Sequence, residues 1–135
     1  MNTEVMKISS VSEDIEKIRR AADVIKKGGL VVFPTETVYG LGADATNAEA
    51  VKSIFKAKGR PSDNPLIIHI ADPRDAEKYT VTNELYYKLA ERFMPGPLTV
   101  ILESKSCIPS VTRASLPTVA VRCPENAIAR SLITE

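Results

Sequence analysis

The sequence predicts an α/β fold, a twisted open mixed sheet with helices on its faces. Short apolar runs rich in β-branched residues alternate with amphipathic segments of helical period. The runs Leu30–Phe33 and Leu66–Ile70 are flanked by Gly or Pro, as strands often are, and the first shows no polar alternation, which indicates burial on both faces. A single helix is expected between them. Strand–loop–helix–loop–strand units of this kind commonly place ligand sites in their loops.

The composition is that of an ordinary globular domain. The chain has 135 residues, of which 44% are hydrophobic and 26% charged, so we predict one domain over residues 1–135. No apolar run could span a membrane and the N-terminal segment has no signal core, so the expected location is cytoplasmic. The net charge of +1 does not indicate nucleic-acid binding, and any such site must be a local patch.

The two cysteines do not predict a metal site. Cys107 and Cys123 form no CxxC pair, and His69 is the only histidine that could join them. We therefore expect two free thiols and no metal bound by the protein.

The N-terminal segment predicts a short strand at Val5–Ile8, followed by an amphipathic helix. Ser10 and Glu13 fit a capping box at the helix start, and Gly28 fits a stop after its end. The apolar positions that recur at helical spacing are Ile15, Ile18, Ala22 and Ile25. This helix should pack its apolar face on the sheet.

A second helix is predicted from about Asn47 to Lys58. Thr46 with Glu49 supplies the capping box, and Gly59 supplies the stop. The apolar stripe of this helix is Val51, Ile54 and Phe55, and Lys58 is its next position. Lys58 should therefore extend along the packed face, whereas Lys52 and Lys56 should point to solvent.

The turn after the second helix carries two cations. Lys58 and Arg60 lie two residues apart around Gly59, and such a pair suits a phosphate, because arginine grips two oxygens and lysine adds a point charge. Solvated charge at a helix end explains the pattern less well but remains open.

The second half of the chain predicts a short helix at Asp72-Pro73 and a longer one capped by Thr82 or Asn83. The apolar stripe of the longer helix is predicted at Leu85, Leu89 and Phe93. The remaining elements are a Pro95-Gly96-Pro97 turn, strands at Leu98–Leu102 and Thr118–Arg122, and a helix at Asn126–Ile133.

Three places at the ends of the predicted strands carry polar groups. The run Thr35–Gly42 offers three hydroxyls, one carboxylate and two glycines, and glycine allows close approach of the backbone to a ligand. His69 and Arg122 each close an apolar strand, where Arg122 could reach a carboxylate. A plain turn, a hydrogen-bonded core histidine and a surface arginine explain these features about as well.

Four motifs occur in order along the chain: FPTETVYGLGADA, KAKGRPSDNPLIIHI, MPGPLTVIL and TVAVRCP. They resemble successive motifs of the YrdC family, the threonylcarbamoyl-adenylate synthases, from about Val5 to Ile133. The resemblance implies a twisted α/β sheet with a positively charged concave cavity. It also implies a reaction in which L-threonine, bicarbonate and ATP give threonylcarbamoyl-AMP and pyrophosphate, for N6-threonylcarbamoyladenosine modification of tRNA.

The resemblance assigns residues position by position. It implies that Thr37, His69 and Arg122 contact threonine, with Arg122 on the carboxylate. It implies that the nucleotide is contacted by Lys58, Arg60, Asn64 and Thr118, the first two at the phosphates. Thr35 and Tyr39 line the same loop with no assigned role. Mg²⁺ is expected with ATP, since the sequence has no acidic ligand cluster of its own, and Glu36 could orient a water or the amine.

Members of the family continue beyond this point with further strands and a Ser-x-Asn motif of the nucleotide pocket. The chain ends at Glu135, so the expected domain is incomplete at its C-terminal end, and we expect little synthase activity from this chain alone. Proteins that transfer the threonylcarbamoyl group to tRNA are the implied downstream partners.

Two alternatives remain open at this point. An RNA-binding module would use the basic cavity to bind tRNA or double-stranded RNA, with Lys52, Lys56, Lys58 and Arg60 as its footprint. The low aromatic content of 5% and the absence of Trp favour a small-molecule site instead. Carbamoyl-adenylate chemistry of the kind found in hydrogenase maturation factors is less expected, because the other domains of those proteins are missing.

Overall fold

The computed structural model describes residues 3–59 and 65–135. In chain order these residues form the following elements: α1 (Ile15–Lys26), β1 (Val31–Phe33), β2 (Gly40–Gly42), α2 (Ala48–Lys58), β3 (Ile67–His69), a 3-10 helix (Pro73–Lys78), β4 (Thr80–Val81), α3 (Glu84–Phe93), β5 (Thr99–Ser104), β6 (Thr118–Arg122) and α4 (Ala127–Thr134). No described helix has both the length and the apolar character needed to cross a membrane.

The strands form a four-stranded mixed sheet and a separate two-stranded ribbon. The sheet has the order β3-β6-β5-β4, in which β3 runs parallel to β6 and the other pairs are antiparallel. The ribbon pairs β1 with β2 in antiparallel register. The predicted α/β class with a mixed sheet is therefore confirmed.

The four-stranded sheet has one packed face and one open face. On β6, Val119 and Val121 are 2% and 0% exposed and belong to the core, because alternate side chains of a strand point to opposite faces. The core also takes in Ile68 of β3 and Leu102 of β5, under α3. We define the open face by the alternate residues of the same strands: Ile67, His69, Thr99, Ile101, Glu103, Thr118, Ala120 and Arg122.

Two predictions about strands are wrong. Val5–Ile8 forms no strand, and Val5 is 90% exposed, so β-branched residues without a neighbouring strand surface to pack on do not define a strand. The run Leu30–Phe33 is not buried on both faces, because Val32 of β1 is 63% exposed. Within the described part of the chain no element covers the side of the ribbon to which Val32 points.

The glycine stops and the predicted start of α2 near Asn47 are confirmed, whereas α1 begins later than its predicted capping box. Gly28 and Gly59 have φ values of +88° and +65°, which favour glycine after a helix. The Ser10 hydroxyl accepts a bond from the Glu13 N–H at 3.2 Å, but this bond closes a turn before α1, which begins at Ile15.

Asn47, not Thr46, caps α2. The Asn47 side chain accepts bonds from the N–H groups of Glu49 and Ala50. The Thr46 hydroxyl instead donates to Asp44 at 2.6 Å. Asparagine and threonine are both common capping residues, and the sequence offered them side by side.

The buried side of α3 lies one residue away from the predicted stripe. Leu85 and Phe93 are 64% and 52% exposed, whereas Tyr86 and Ala90 are 1% and 4% exposed. The Tyr86 hydroxyl donates to the Pro73 carbonyl at 2.6 Å, which satisfies its polar atom and allows the ring into the core. Asn83 caps this helix, as one of the two predicted residues.

Candidate active site

A cleft of about 1110 Å³ runs along the ends of several elements. Its walls are the ribbon and its connecting loop, the inner side of α2, β3 with the segment after it, and the end of α4. We call residues 34–39, which join β1 to β2, the ribbon loop. The predicted site residues that line the cleft are Thr37, Lys58, His69 and Arg122, and Thr35 and Tyr39 line it as well.

His69 and Arg122 occupy the same end of the sheet. They are the last residues of the parallel strands β3 and β6, and each is the register partner of the other. Their side chains both belong to the open face. The parallel pairing of two strands 53 positions apart is therefore what places an imidazole beside a guanidinium.

His69 is half-buried and held by two contacts. Its Nδ1 lies 3.2 Å from the Ile67 carbonyl oxygen, and its ring stands edge-on to Phe33 at a centroid distance of 5.7 Å. Burial is the largest effect and lowers the pKa of His69. The Ile67 carbonyl opposes burial, the charge of Arg122 lowers the pKa further, and Glu36 has the smallest, opposing effect. The imidazole is thus neutral near pH 7 and, with the proton on Nδ1, presents Nε2 as an acceptor.

Arg122 is bound to a carboxylate of the ribbon loop. Its Nη2 donates to Glu36 Oε1, and its Nε donates to the Gly96 carbonyl oxygen at 3.3 Å. The second oxygen of Glu36 accepts the backbone N–H of Glu125 at 2.7 Å. These contacts join the ribbon loop, the end of β6 and the segment before α4.

The pKa of Glu36 lies below its usual value. Burial acts most strongly and raises the pKa, but the Glu125 N–H, the N–H of Glu36 itself and the charges of Arg122 and His69 together outweigh burial. Glu36 therefore remains a carboxylate at neutral pH, and the pair with Arg122 is ionic.

Thr35 organises the ribbon loop from inside. Its hydroxyl accepts the N–H groups of Thr37 and Val38, both at 3.2 Å, and donates to the Val38 carbonyl at 2.5 Å. The Thr37 hydroxyl lies 3.1 Å from that of Thr35. Val38 and Tyr39 at the tip are 73% and 76% exposed.

The two glycines of the ribbon make room for an aromatic ring. A Cβ on Gly42 would lie 2.7 Å from Phe33 Cε1, and one on Gly40 would lie 3.3 Å from Phe33 Cζ. Neither glycine has a positive φ, unlike Gly28 and Gly59. The close approach expected toward a ligand is, in this structure, an approach to Phe33.

Only one of the residues predicted to bind the nucleotide is found at the cleft in the described structure. Lys58 is exposed at the end of α2 and lines the cleft, whereas Lys52 and Lys56 of the same helix do not, so the predicted direction of Lys58 is confirmed. Arg60 and Asn64 lie outside the described residues. Thr118 shares the open face with Arg122 but begins β6, about 13 Å away along the strand, and is not among the described residues that line the cleft.

The cleft is not positively charged within the part of the chain that the structure describes. Four cationic and four acidic residues line it: Lys26, Lys58, Lys78 and Arg122 against Asp44, Asp72, Asp75 and Glu135. The expected basic cavity is therefore not found among these residues. They also contain no group of three or more His, Cys, Asp and Glu side chains that could hold a metal ion.

Sequence reasoning did not predict the contacts that Glu36 makes, and it did not predict that Phe33 takes part in the site. The signal for the first was present, since Arg122 was expected to reach a carboxylate and Glu36 is the only one in the ribbon loop. The distance of 86 positions between the two residues gave no reason to pair them.

Polar residues from several strand ends meet in one cleft beside a mixed sheet, which is the arrangement of a small-molecule-binding α/β domain. The chain belongs to the Sua5/YciO/YrdC family, whose profile, with the description "Telomere recombination", matches residues 23–135. The resemblance read from the four motifs is thus confirmed.

Named relatives agree with this assignment. The threonylcarbamoyl-AMP synthase of Pyrococcus abyssi is 53% identical over 131 residues, which are 93% of this chain and 38% of that protein. The enzyme of the same name from Bacillus subtilis is 50% identical over 128 residues, 93% of this chain and 37% of that protein. The chain therefore spans little more than a third of the length of these two relatives.

A solved structure shows the same fold. The crystal structure of P. abyssi Sua5 complexed with L-threonine matches with a TM-score of 0.86 and 54% identity, over 88% of this chain and 35% of that chain.

Proposed function

We propose that this chain takes part in L-threonylcarbamoyladenylate synthesis, in which L-threonine, bicarbonate and ATP give threonylcarbamoyl-AMP and pyrophosphate. The observation that carries the proposal is the pairing of His69 with Arg122 in a cleft that also receives Thr37 and Lys58. The names of relatives at 50% and 53% identity support it. The product would be passed to proteins that modify tRNA.

The threonine subsite is proposed at Arg122, His69 and Thr37. Arg122 would bind the α-carboxylate, because a guanidinium in a half-buried setting pairs well with a planar anion. The neutral His69 and the Thr37 hydroxyl would bind the amine and the side-chain hydroxyl of the substrate. A neutral imidazole can accept a bond from an amine without repelling it.

The nucleotide subsite is proposed at Lys58, Arg60, Asn64 and Thr118. The place of Lys58 on the cleft wall supports the phosphate contact. Thr118 can contribute only if the nucleotide extends along the open face toward the start of β6. Mg²⁺ is proposed to enter on the ATP phosphates, since the described residues supply no acidic cluster for it.

The reaction depends on the positioning of the reactants more than on covalent catalysis by the protein. The neutral amine of threonine attacks the bicarbonate carbon, giving a carbamate and releasing water. A carbamate oxygen then attacks the α-phosphorus of ATP, and pyrophosphate leaves. The chain's part would be to hold the reactants in line and to neutralise charge that develops on the phosphate oxygens, the role proposed for Lys58.

The experiment is calorimetric titration of the 135-residue chain with L-threonine and with ATP and Mg²⁺, followed by assay of threonine-dependent pyrophosphate release. We expect L-threonine to bind, and Arg122→Ala to weaken this binding by about tenfold or more. Arg92→Ala, an exposed arginine of α3, is the matched control and should have no effect. Absence of threonine binding by the folded chain would contradict the proposal for this chain.

RNA binding is not favoured as a second function. The charges that line the described cleft balance, and Lys52 of the supposed footprint pairs with Glu49 at 3.2 Å. A footprint on nucleic acid would instead need several unpaired cations along one surface.

A further inference from the structure

We propose that Glu36 is a positioning residue, which holds the Arg122 guanidinium and the ribbon loop so that both face the cleft. The identity of the ligand in this inference rests on the proposed function. The positioning itself rests on contacts within the chain.

Glu36 is the point at which the ribbon loop is tied to the rest of the protein. Its two carboxylate oxygens accept bonds from Arg122 and from the Glu125 backbone, across 86 and 89 positions of sequence. The other hydrogen bonds of residues 34–39 within the described structure run between Thr35 and its own neighbours, Thr37 and Val38. Without Glu36, the loop would keep its internal turn but lose its hydrogen-bonded attachment.

The pair with Arg122 is the least exposed ion pair among the described residues. Its side chains are 11% and 22% exposed, whereas those of the Lys52–Glu49 pair are 60% and 84% exposed. Exposed pairs contribute little, because water screens them and both side chains must be ordered. A half-buried pair with a second hydrogen-bond donor on the carboxylate can fix the geometry of both partners.

Arg122 is fixed and still has donors to offer. One N–H of Nη2 goes to Glu36 and Nε–H goes to Gly96, so two of the three guanidinium nitrogens are held. Arginine has five N–H donors, and the other three have no hydrogen-bond partner among the described residues. Glu36 and a substrate carboxylate can therefore share Arg122.

A competing account would treat Glu36 as a placeholder that leaves Arg122 when the substrate carboxylate arrives. Displacement would leave a carboxylate with little exposure held only by the Glu125 N–H, without the cation that it pairs with. The two accounts predict opposite signs: removal of the Glu36 charge weakens threonine binding if Glu36 positions, and strengthens it if Glu36 competes.

The test compares the unaltered chain with Glu36→Gln and Glu36→Ala. Glutamine keeps the length and one acceptor oxygen, and alanine removes both contacts. Glu103→Gln is the matched control, because Glu103 is an exposed carboxylate of β5 facing Thr118 on the open face.

The first measurement needs no ligand. Amide hydrogen exchange at Thr37, Val38 and Glu125 should become about tenfold faster in Glu36→Ala, less so in Glu36→Gln, and should not change in Glu103→Gln. Unchanged exchange in both Glu36 variants would overturn the proposal.

The second measurement is calorimetric titration with L-threonine and with L-threoninol, which lacks the carboxylate. Glu36→Gln should weaken L-threonine binding by about tenfold and affect L-threoninol much less, because the loss passes through Arg122. Tighter or unchanged binding of L-threonine would overturn positioning. If the unaltered chain bound no L-threonine while exchange rose as expected, the proposed function would fail and the positioning role of Glu36 would stand.

Discussion

His69 and Arg122 face each other across the parallel strands β3 and β6, each at the last position of its strand. Neighbouring strands lie about 5 Å apart, so the imidazole is close to a permanent positive charge. Burial is the main reason why the pKa of His69 is lowered, and the charge of Arg122 lowers it further while Glu36 opposes this, so the pKa of the histidine responds to both charged neighbours.

We first predict the titration of His69, the only histidine of the chain. Its pKa should lie below 6.5, because burial and the charge of Arg122 both oppose protonation. Arg122→Ala should raise this pKa, and Glu36→Gln should lower it further, since Glu36 acts in the opposite sense. Proton NMR of the imidazole over pH 4 to 8 measures all three values, with Arg92→Ala as the control that leaves the pKa unchanged.

The lowered pKa of His69 also predicts how the free energy of unfolding changes with pH. The unfolded chain binds a proton at His69 more readily than the folded chain does, so the free energy of unfolding should fall as the pH drops below 6.5 toward the folded pKa. Urea unfolding at pH 7.5 and pH 5.5 should show this loss, and His69→Gln should reduce it. An equal loss in the variant would contradict the assignment to His69.

A second prediction concerns Glu36 in more acidic solution. Because its folded pKa is lowered, the Glu36 contacts stabilise the fold fully above the ordinary value of 4.5, and this contribution is lost as the pH falls through the folded pKa. Glu36→Gln should thus destabilise the chain more at pH 6 than at pH 3. Urea unfolding at both pH values checks this, and Glu103→Gln should behave like the unaltered chain.

A third prediction tests how closely the Phe33 ring packs on the two glycines of β2. Gly42→Ala should lower the free energy of unfolding by about 1–3 kcal/mol, because its Cβ would press on the Phe33 ring. Gly40→Ala should cost less, since its Cβ meets the ring at 3.3 Å rather than 2.7 Å. Thermal or urea unfolding measures the loss of free energy of unfolding in both variants. A larger loss for Gly40→Ala than for Gly42→Ala would show that the contact with Phe33 does not determine the cost.

A fourth prediction compares two lysines of α2. Lys58→Ala should weaken binding of ATP with Mg²⁺ by about tenfold, because Lys58 lines the cleft and is proposed to contact a phosphate. Lys52→Ala is the matched control on the same helix, since Lys52 pairs with Glu49 outside the cleft. Equal effects of the two changes in calorimetric titration would place the nucleotide elsewhere.

Local features of the chain could be predicted where one physical cause dominates. The stops at Gly28 and Gly59 follow from the left-handed backbone that ends many helices, and both were predicted. The direction of Lys58 followed from the helical period of α2, whose buried side includes Val51 and Ile54.

Other features depend on partners that sequence spacing does not show. On α3, Leu85 and Tyr86 are both apolar and adjacent, and the acceptor at Pro73 decides that the tyrosine faces the core. Val5 lacks a strand partner in the described structure, so its β-branched side chain had nothing to pack on.

The sequence indicated some of the residues that meet in the cleft, but not the contacts between them. Thr37, His69 and Arg122 do share one cleft, as the order of the strands allowed. Their roles toward a substrate stay predictions. The bond between Arg122 and Glu36 joins residues that lie 86 positions apart in the sequence. It depends on the folding of the ribbon loop against the end of β6, which sequence spacing does not show.

The edge-on contact of Phe33 with His69 has a spectroscopic consequence. An aromatic ring at a centroid distance of 5.7 Å and an interplanar angle of 81° shifts the imidazole resonances by its ring current. Phe33 belongs to the ribbon and His69 to the sheet, so these resonances report how the ribbon sits over the cleft. The single histidine is therefore a label already built into the chain, able to register ligand-induced movement without any added probe.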